Sequence, residues 1–176
     1  MDPGLLVASP QLRDPNFQRS VVLLVQHNAE GALGLIINRR APMRLGDVVE
    51  NAEGVNPALA NQPVLWGGPV ERAVGFVVFR GEAAEGWMIG GGVSVSTSSQ
   101  RLADLVAGNG RFVLCLGYAG WAPGQLDREF EEGSWVYSDC TADILFDTDL
   151  ADRYDLVLAR NGLHADTLWM RSERHV

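Results

Sequence analysis

Residues 116–130 read LGYAGWAPGQLDREF, and the apolar run Phe112–Leu116 leads into them. A short, continuous apolar run of this kind predicts a buried strand. The glycines and the proline that follow predict a corner between that strand and a helix. Because free backbone N–H groups at a helix start can bind an anion, the stretch is either a ligand-binding turn or a structural corner.

The residues around the predicted helix start favour the structural corner. Pro123 suits the first helical position. Trp121 and Leu126 have the spacing of a hydrophobic staple, and the side chain of Gln125 can reach back to the backbone of the cap. Gly133 suits the left-handed position that ends a helix. Trp121 and Gln125 are also candidates for contact with a ligand or a partner.

The outer face of this helix is charged. It carries Asp127, Arg128, Glu131 and Glu132. The two glutamates fall in the last turn, where negative charge opposes the helix dipole. We interpret this face as a solvated surface. The alternative is an acidic surface that contacts a partner, with Trp135 as an aromatic anchor.

Hydrophobic periodicity predicts further strands and helices on both sides of the corner. The expected strands are Leu5–Ala8, Ser20–Gln26, Ala32–Asn38, Val64–Trp66, Val74–Phe79, Trp87–Thr97 with a bulge at its glycines, Trp135–Tyr137 and an edge strand at Thr167–Met170. The expected helices are Leu45–Ala52, Ser98–Val106 and Asp149–Ala159. We expect a long loop in the hairpin that follows Gln26, and a left-handed Gly108. Strand hairpins with inserted helices indicate an α+β fold with a mixed, largely antiparallel sheet.

The composition is that of one soluble domain. The chain has 176 residues, of which 47% are hydrophobic and 20% charged. Such a length suits a single domain over residues 1–176. No apolar run approaches the roughly 20 residues that span a bilayer, and the start lacks the features of a signal peptide. We therefore expect a cytoplasmic protein, in which Cys115 and Cys140 stay unpaired.

The charges exclude several mechanisms. The net charge is −8, and all 14 basic residues are arginines. Without lysine there is no phosphate-binding P-loop and no Schiff base. The arginines are scattered apart from Arg39, Arg40 and Arg44, whereas nucleic-acid binding requires clustered positive charge. The acidic balance therefore disfavours direct DNA binding.

Several stretches together resemble the bacterial AlgH/YqgE family. The first is residues 9–38, SPQLRDPNFQRSVVLLVQHNAEGALGLIIN, which ends at Asn38. The others are WGGPV at Trp66–Val70, the pair Gly75-Phe76, and GYAGWAPGQLDREF with Trp135 beyond it. These stretches occur in the family's order and cover nearly the whole chain.

The resemblance implies a compact fold whose mixed, partly bifurcated sheet curls into a pseudo-barrel with flanking helices. It suggests a role in transcriptional regulation and carries over no catalytic residue. The chain departs from the family at Phe79, where many relatives have histidine, and at Gly133, where many have asparagine.

A few polar and glycine residues are candidates for a binding site. Asp14 and Arg19 flank the first loop and could bind a polar ligand, or could pair with each other or with the loop backbone. His27 lies at the mouth of a turn, where it is either a ligand or base, or a hydrogen-bonded structural residue. The turn Gly67-Gly68 could bring backbone N–H groups close to a ligand.

These observations leave three hypotheses of function. The preferred one is a non-enzymatic binding or regulatory module that acts through protein contacts. The second is an enzyme or small-ligand binder whose site is built from Asp14, Arg19, His27 and the Gly67-Gly68 turn. The third is direct DNA binding. We expect no cofactor and no metal, because the nearest candidate set, His164, Asp166 and His175, lacks the spacing of a metal site.

Overall fold

The structure is a computed structural model that describes residues 1–49, 54–82, 84–108 and 110–163. Within these residues the chain forms ten strands: β1 (Gly4–Ala8), β2 (Val21–Asn28), β3 (Gly31–Ile36), β4 (Arg40–Arg44), β5 (Pro63–Trp66), β6 (Val70–Arg80), β7 (Trp87–Gly90), β8 (Val93–Ser96), β9 (Phe112–Trp121) and β10 (Trp135–Ser138). The helices are α1 (Leu45–Val48), α2 (Pro57–Ala60), α3 (Ser99–Ala107), α4 (Gln125–Glu131), α5 (Ala142–Phe146) and α6 (Arg153–Arg160), the last preceded by a 3-10 turn at Leu150–Asp152. None of the described helices is long and apolar enough to cross a membrane.

The strands form one mixed sheet that is not closed. Its main path runs β10-β1-β2-β3-β9-β6-β8-β7, with β4 and β5 on a side branch. All pairs are antiparallel except β5 with β9. The predicted α+β class with a mixed, largely antiparallel sheet is confirmed. The sheet curls, so that Trp87 at one end of the path reaches β2 and donates a hydrogen bond to Gln26.

Strand β9 is the branch point of the sheet. Cys115 and Leu116 lie between β5 on one side and β6 on the other. Beyond them, Ala119–Trp121 pairs with β3 instead. Gly117 marks the change of partner, with φ of +75°, and a Cβ there would lie 2.5 Å from the carbonyl oxygen of Gly68. Only glycine combines that backbone angle with so close an approach of another strand.

The branched sheet has buried residues on both faces. Phe76 and Val78 of β6 belong to the larger core, whereas Val77 and Phe79 belong to a second core. The alternation follows from the two-residue period of a strand. One face of α3, formed by Leu102, Leu105 and Val106, packs against the second core.

Several sequence-based boundaries differ from the structure. The segment Trp87–Thr97 is a hairpin of β7 and β8 rather than one bulged strand, because Gly90, Gly91 and Gly92 have positive φ and reverse the chain. The β2–β3 loop is not long: Asn28 pairs with Gly31, so His27 lies in the strand. Gly108 is extended, with φ of −96° and ψ of −168°.

The corner after β9 also differs in detail. The strand continues to Trp121, so the residues predicted as a turn are paired with β3. Helix α4 begins at Gln125, with Gly124 in the left-handed region as its N-cap, and Pro123 therefore precedes the helix. Leu126 and Phe130 do enter the core, and Gly133 has φ of +79°, as predicted. The edge strand predicted at Thr167–Met170 lies outside the described residues.

Candidate functional site

The two polar candidates of the first loop have separate partners. The Asp14 carboxylate accepts a hydrogen bond of 2.8 Å from the N–H of Asn16, which holds the loop backbone. Arg19 has φ of +57°, forms an ion pair of 3.8 Å with Asp155, and stacks over the ring of Tyr154. The predicted alternative of loop-backbone pairing describes Asp14, whereas Arg19 reaches helix α6.

His27 lies on the helix-covered face of β2. Its Nε2 is 3.5 Å from a carboxylate oxygen of Asp127, and its side chain is 9% exposed. Its Nδ1 is buried without a hydrogen-bond partner among the residues that the structure describes. The flanking Gln26 and Asn28 face the other way, as alternate residues of a strand do.

Asn38 and the Gly67-Gly68 turn form hydrogen bonds with the backbone of other segments. The Asn38 side chain accepts from the N–H of Val21 at 3.0 Å and donates to the carbonyl of Arg19 at 2.9 Å. Gly67 donates to Leu116 and accepts from Ile36 through its backbone. These contacts are internal to the fold. Asn38 holds the end of the first loop, and Gly67 connects β3 with β9 near the branch of the sheet.

Trp121 and Gln125 build the corner. The Gln125 side chain accepts from the N–H of Ala122 at 2.9 Å, the predicted reach back to the cap. The Trp121 indole stacks on Phe17 at a centroid distance of 5.9 Å and donates to Glu129 at 3.4 Å. Glu129 also accepts from the indole of Trp135 at 3.2 Å.

The residues predicted to form one site therefore lie in different places. Asp14 and Arg19 are in the first loop, and His27 lies under α4. Of the full set of candidates, Gly68 and Trp121 line described cavities, and the two cavities are different.

The larger cavity is an open cleft of about 440 Å³. Five strands, the β2–β3 turn and the residue after β8 contribute to its wall, which consists of Gln26, Asn28, Glu30, Gly31, Ala32, Leu33, Phe76, Trp87, Thr97, Tyr118 and Trp121. We call it the aromatic cleft. Clefts of this size that combine apolar walls with a few polar groups are where proteins usually bind ligands.

Three aromatic side chains form the centre of the cleft. Phe76 is 4% exposed and forms the floor. Tyr118, from β9 on one side, meets it edge-on at a centroid distance of 5.9 Å. Trp87, from β7 on the other side, lies 6.5 Å from it at a tilt of 39°. The Trp121 indole borders the cleft but is already engaged by Phe17 and Glu129.

The polar side chains at the rim include the amides of Gln26 and Asn28 and the carboxylate of Glu30. Gln26 Oε1 accepts from the Trp87 indole at 3.3 Å, which fixes both side chains. Asn28 Oδ1 accepts from the N–H of Glu30 at 2.8 Å, which orders the turn at the mouth. Glu30 is the one ionisable acid or base of the lining apart from the Tyr118 phenol.

A second cleft of about 140 Å³ is lined by Asn16, Ile36, Arg39, Trp66, Gly68, Pro69 and Arg72. Arg39 donates hydrogen bonds to the carbonyls of Asn16 and Gln18, and burial lowers its pKa. The Arg72 guanidinium lies over the Trp66 ring at 5.6 Å. The neighbouring Glu71 has φ of +46°, within a bulge that separates Val70 from Gly75 in the β6–β9 pairing.

The two thiols are poor nucleophiles. Burial raises the pKa of Cys115 and of Cys140 to about 12 in each case. The thiolate is the reactive form, so both groups are unreactive near neutral pH. Among the described residues, no group of three or more His, Cys, Asp or Glu side chains is placed to hold a metal ion.

Apart from Trp121, the residues of the aromatic cleft were not identified from sequence. Gln26, Trp87 and Tyr118 lie in three segments, and no local motif connects them. Phe76 and Tyr118 do fall inside stretches that carry the family resemblance, Gly75-Phe76 and GYAGW. The usable signal was the set of aromatic residues near strand ends, but only the strand order shows which of them meet.

Comparisons with known proteins place this architecture among related chains. A family model described as AlgH-like matches residues 5–166. A UPF0301 protein of Anaeromyxobacter dehalogenans is 42% identical over 175 residues, with 92% of this chain and 88% of that protein covered. A UPF0301 protein of Coxiella burnetii is 40% identical over 167 residues, with 93% and 90% covered.

Two solved structures share the fold. The solution structure of the AlgH protein from Pseudomonas aeruginosa has a TM-score of 0.75 at 35% identity, and covers 92% of this chain and 89% of that one. The crystal structure of a protein from Corynebacterium diphtheriae has a TM-score of 0.73 at 24% identity, with 91% and 87% covered. The second likeness concerns the fold alone.

Proposed function

This chain belongs to the AlgH-like family, and from that premise we propose that it is a non-enzymatic binding module that acts through contact with another protein. The aromatic cleft is the contact site. The observation that carries the proposal is the convergence of Phe76, Trp87 and Tyr118 on one open cavity of about 440 Å³. Tyrosine and tryptophan supply a large share of binding energy where proteins meet.

The groups that line the cleft favour binding over chemistry. Aromatic rings stack, and the oxygens of Gln26 and Asn28 accept hydrogen bonds. His27 faces α4 from the other side of β2, where Asp127 meets its Nε2. The thiols are protonated at neutral pH, since burial raises the pKa of both to about 12.

An exposed apolar residue beside the cleft supports a protein as the partner. Val70 pairs with Tyr118 in the sheet, so the two side chains lie on the same face, and Val70 is 37% exposed. Met88 is 63% exposed, but it alternates with Trp87 along β7 and therefore faces away from the cleft. Apolar side chains exposed around a cleft are typical of a surface that another protein covers.

Photo-crosslinking tests the contact directly. A photoreactive phenylalanine analogue replaces Val70 in cells of the source organism, and the same analogue replaces Val48 as a control. Val48 is also apolar and 38% exposed, but it lies on α1 and does not line the cleft. We expect one discrete adduct from position 70 and none from position 48.

Variants of the wall decide whether the adduct depends on the cleft. Trp87→Ala should abolish the adduct, whereas Trp66→Ala, a tryptophan of the second cleft, should leave it unchanged. Circular dichroism establishes that both variants are folded. An adduct that survives Trp87→Ala, or that forms equally from both positions, would exclude the aromatic cleft as the contact site.

A small-ligand site is the second candidate. The second cleft brings Arg39 and Arg72 together beside Trp66, an arrangement that suits a small anion. Titration with inorganic phosphate, followed through the indole N–H signal of Trp66 by NMR, tests it. An unchanged signal up to millimolar phosphate would remove this candidate.

We place the protein in the bacterial cytoplasm, where unpaired thiols such as Cys115 and Cys140 stay reduced. Direct DNA binding finds little support in the arginines. Arg101, Arg111 and Arg160 are each paired with a carboxylate. Specific retardation of a DNA fragment in a gel shift at low salt would favour direct DNA binding over contact with a protein.

A further inference from the structure

The aromatic cleft has the chemistry of a cation site. We propose that it holds an organic cation, the guanidinium or ammonium group at the end of an arginine or lysine side chain of the partner. This inference rests on the proposed function, because it names the group that the cleft takes. It goes beyond the proposed function because it assigns a positive charge to the group that the cleft binds.

The three rings give a cation the surroundings it prefers. A guanidinium or ammonium is attracted to a ring face within about 6 Å of the centroid, and more strongly when it leaves water. Tyr118 and Trp87 lie on opposite sides of Phe76, at centroid distances of 5.9 Å and 6.5 Å from it. All three rings line the same cavity, so a guanidinium that enters it lies next to them. The Trp87 indole is fixed for this purpose by its hydrogen bond to Gln26.

The rim completes the site with acceptors. Glu30 carries the negative charge, and it forms no ion pair within the part of the chain that the structure describes. Its turn is ordered by the bond between its N–H and the side chain of Asn28. A guanidinium donates through five N–H groups and an ammonium through three, so the Glu30 carboxylate at the mouth suits either group as an acceptor.

The described lining of the cleft carries no positively charged side chain. No arginine is among those residues, and the chain contains no lysine. The second cleft is the opposite case, because it has two arginines and no acid. The net charge of −8 adds a long-range attraction for cations that speeds their approach.

A neutral aromatic or aliphatic ligand is the competing occupant. It would use the same rings but would gain nothing from Glu30. Arginine and citrulline separate the two cases, because their side chains have the same shape and differ in charge. The peptides acetyl-Gly-Arg-Gly-amide and acetyl-Gly-Cit-Gly-amide are therefore the probes.

The binding is measured by NMR through the indole N–H signal of Trp87, assigned with the variant Trp87→Phe. We expect the arginine peptide to shift this signal and the citrulline peptide to bind about tenfold more weakly. The matching lysine peptide should bind like arginine, and butylguanidinium and butylurea extend the comparison to free ligands. Stronger binding of butylguanidinium than of the arginine peptide would indicate a free small cation and overturn a side chain as the source.

Charge-neutral variants test the role of Glu30. Glu30→Gln should weaken arginine binding about fivefold and leave citrulline binding unchanged. Glu132→Gln, an exposed acid at the end of α4, removes the same charge at a residue that does not line the cleft and should change neither.

Two results would overturn the cation inference. Equal affinity for arginine and citrulline would show a neutral site, while the adduct at Val70 would still support the aromatic cleft as the contact surface. No shift of the Trp87 signal with either peptide at millimolar concentration would exclude basic side chains. An adduct at Val70 that no longer depends on Trp87 would overturn the proposed function itself.

Discussion

The indole N–H of Trp87 donates a hydrogen bond of 3.3 Å to the side-chain oxygen of Gln26, across a gap that the backbone pairing leaves open. Trp87 belongs to β7, the last strand of the sheet path, and Gln26 to β2, near the other end. This side-chain contact therefore connects two distant strands of the curled sheet and orients two residues in the wall of the aromatic cleft.

Replacement of Gln26 by leucine tests this contact. We expect the Trp87 indole to become more mobile and the free energy of unfolding to fall by about 1 kcal/mol, the value of one hydrogen bond. Urea unfolding measures the stability, and heteronuclear relaxation of the indole N–H measures the mobility. Gln11→Leu, in the exposed first loop, is the control. An unchanged Trp87 signal in Gln26→Leu would mean that packing alone places the indole.

The buried Arg153 is a strong test of the core. It is 5% exposed and donates to the carbonyls of Ile37, Leu145 and Thr148, while burial lowers its pKa. Arg153→Met leaves three carbonyls without a donor, so we expect a loss of about 3 kcal/mol or more. Urea unfolding followed by circular dichroism measures it.

Arg160 on the same helix provides the matched control for that change. It is paired with Asp143 at the surface, so Arg160→Met should cost about 1 kcal/mol or less. Similar losses in the two variants would contradict the structural role assigned to Arg153.

Gly117 is expected to be irreplaceable at the branch of the sheet. Gly117→Ala adds a Cβ 2.5 Å from the carbonyl oxygen of Gly68, in addition to the cost of a positive φ. Gly133 has a similar φ of +79° but open space around it, so Gly133→Ala isolates the backbone cost. We expect about 1 kcal/mol for Gly133→Ala and at least about twice that for Gly117→Ala, by thermal unfolding. Equal costs would mean that the strands at the branch can move apart.

Acid should destabilise the protein in a defined range. The hydrogen bond from Arg101 lowers the pKa of Glu85 from 4.5 to about 2, and Arg160 lowers that of Asp143. In both cases the folded state binds protons less readily than the unfolded state. The stabilisation is therefore complete above pH 4.5 and is lost as the pH falls towards about 2.

Urea unfolding at a series of pH values checks this expectation. Solvent screens both pairs, so the change is small but its direction is fixed. Arg101→Gln should flatten the fall in stability below pH 4.5, whereas Arg13→Gln, which removes an exposed charge from the first loop, should preserve it. A fall that is equally steep in Arg101→Gln would assign the acid sensitivity to other groups.

Local signals in the sequence predicted most of the fold. The apolar run Phe112–Leu116 indicated a buried strand, and it forms part of β9, which is covered on both faces. The helix predicted over Ser98–Val106 forms as α3, Ser99–Ala107, and the Ser98 side chain caps it by accepting from the N–H of Arg101. Such features depend on neighbouring residues, so periodicity and capping chemistry are sufficient to find them.

The predicted bounds of strands were wrong where glycine conformations determined the path of the chain. Three glycines turned the predicted strand Trp87–Thr97 into a hairpin. Gly117 allowed β9 to continue through an expected corner and to change its partner. Glycine is compatible with a turn, a bulge or a close approach of strands, so the residue type alone does not say which one is formed.

For the candidate site, too, some features follow from the sequence and others from the tertiary structure. The sequence by itself determined the α+β class, the family, the acidic charge without lysine, and the capped corner in which Gln125 reaches back to Ala122. Only the tertiary structure decided that Asp14, Arg19 and His27 take separate partners, and that Gln26, Phe76, Trp87 and Tyr118 share one cleft. The physical reason is the strand order, since β2, β6, β7 and β9 are distant in sequence and meet only when the branched sheet curls.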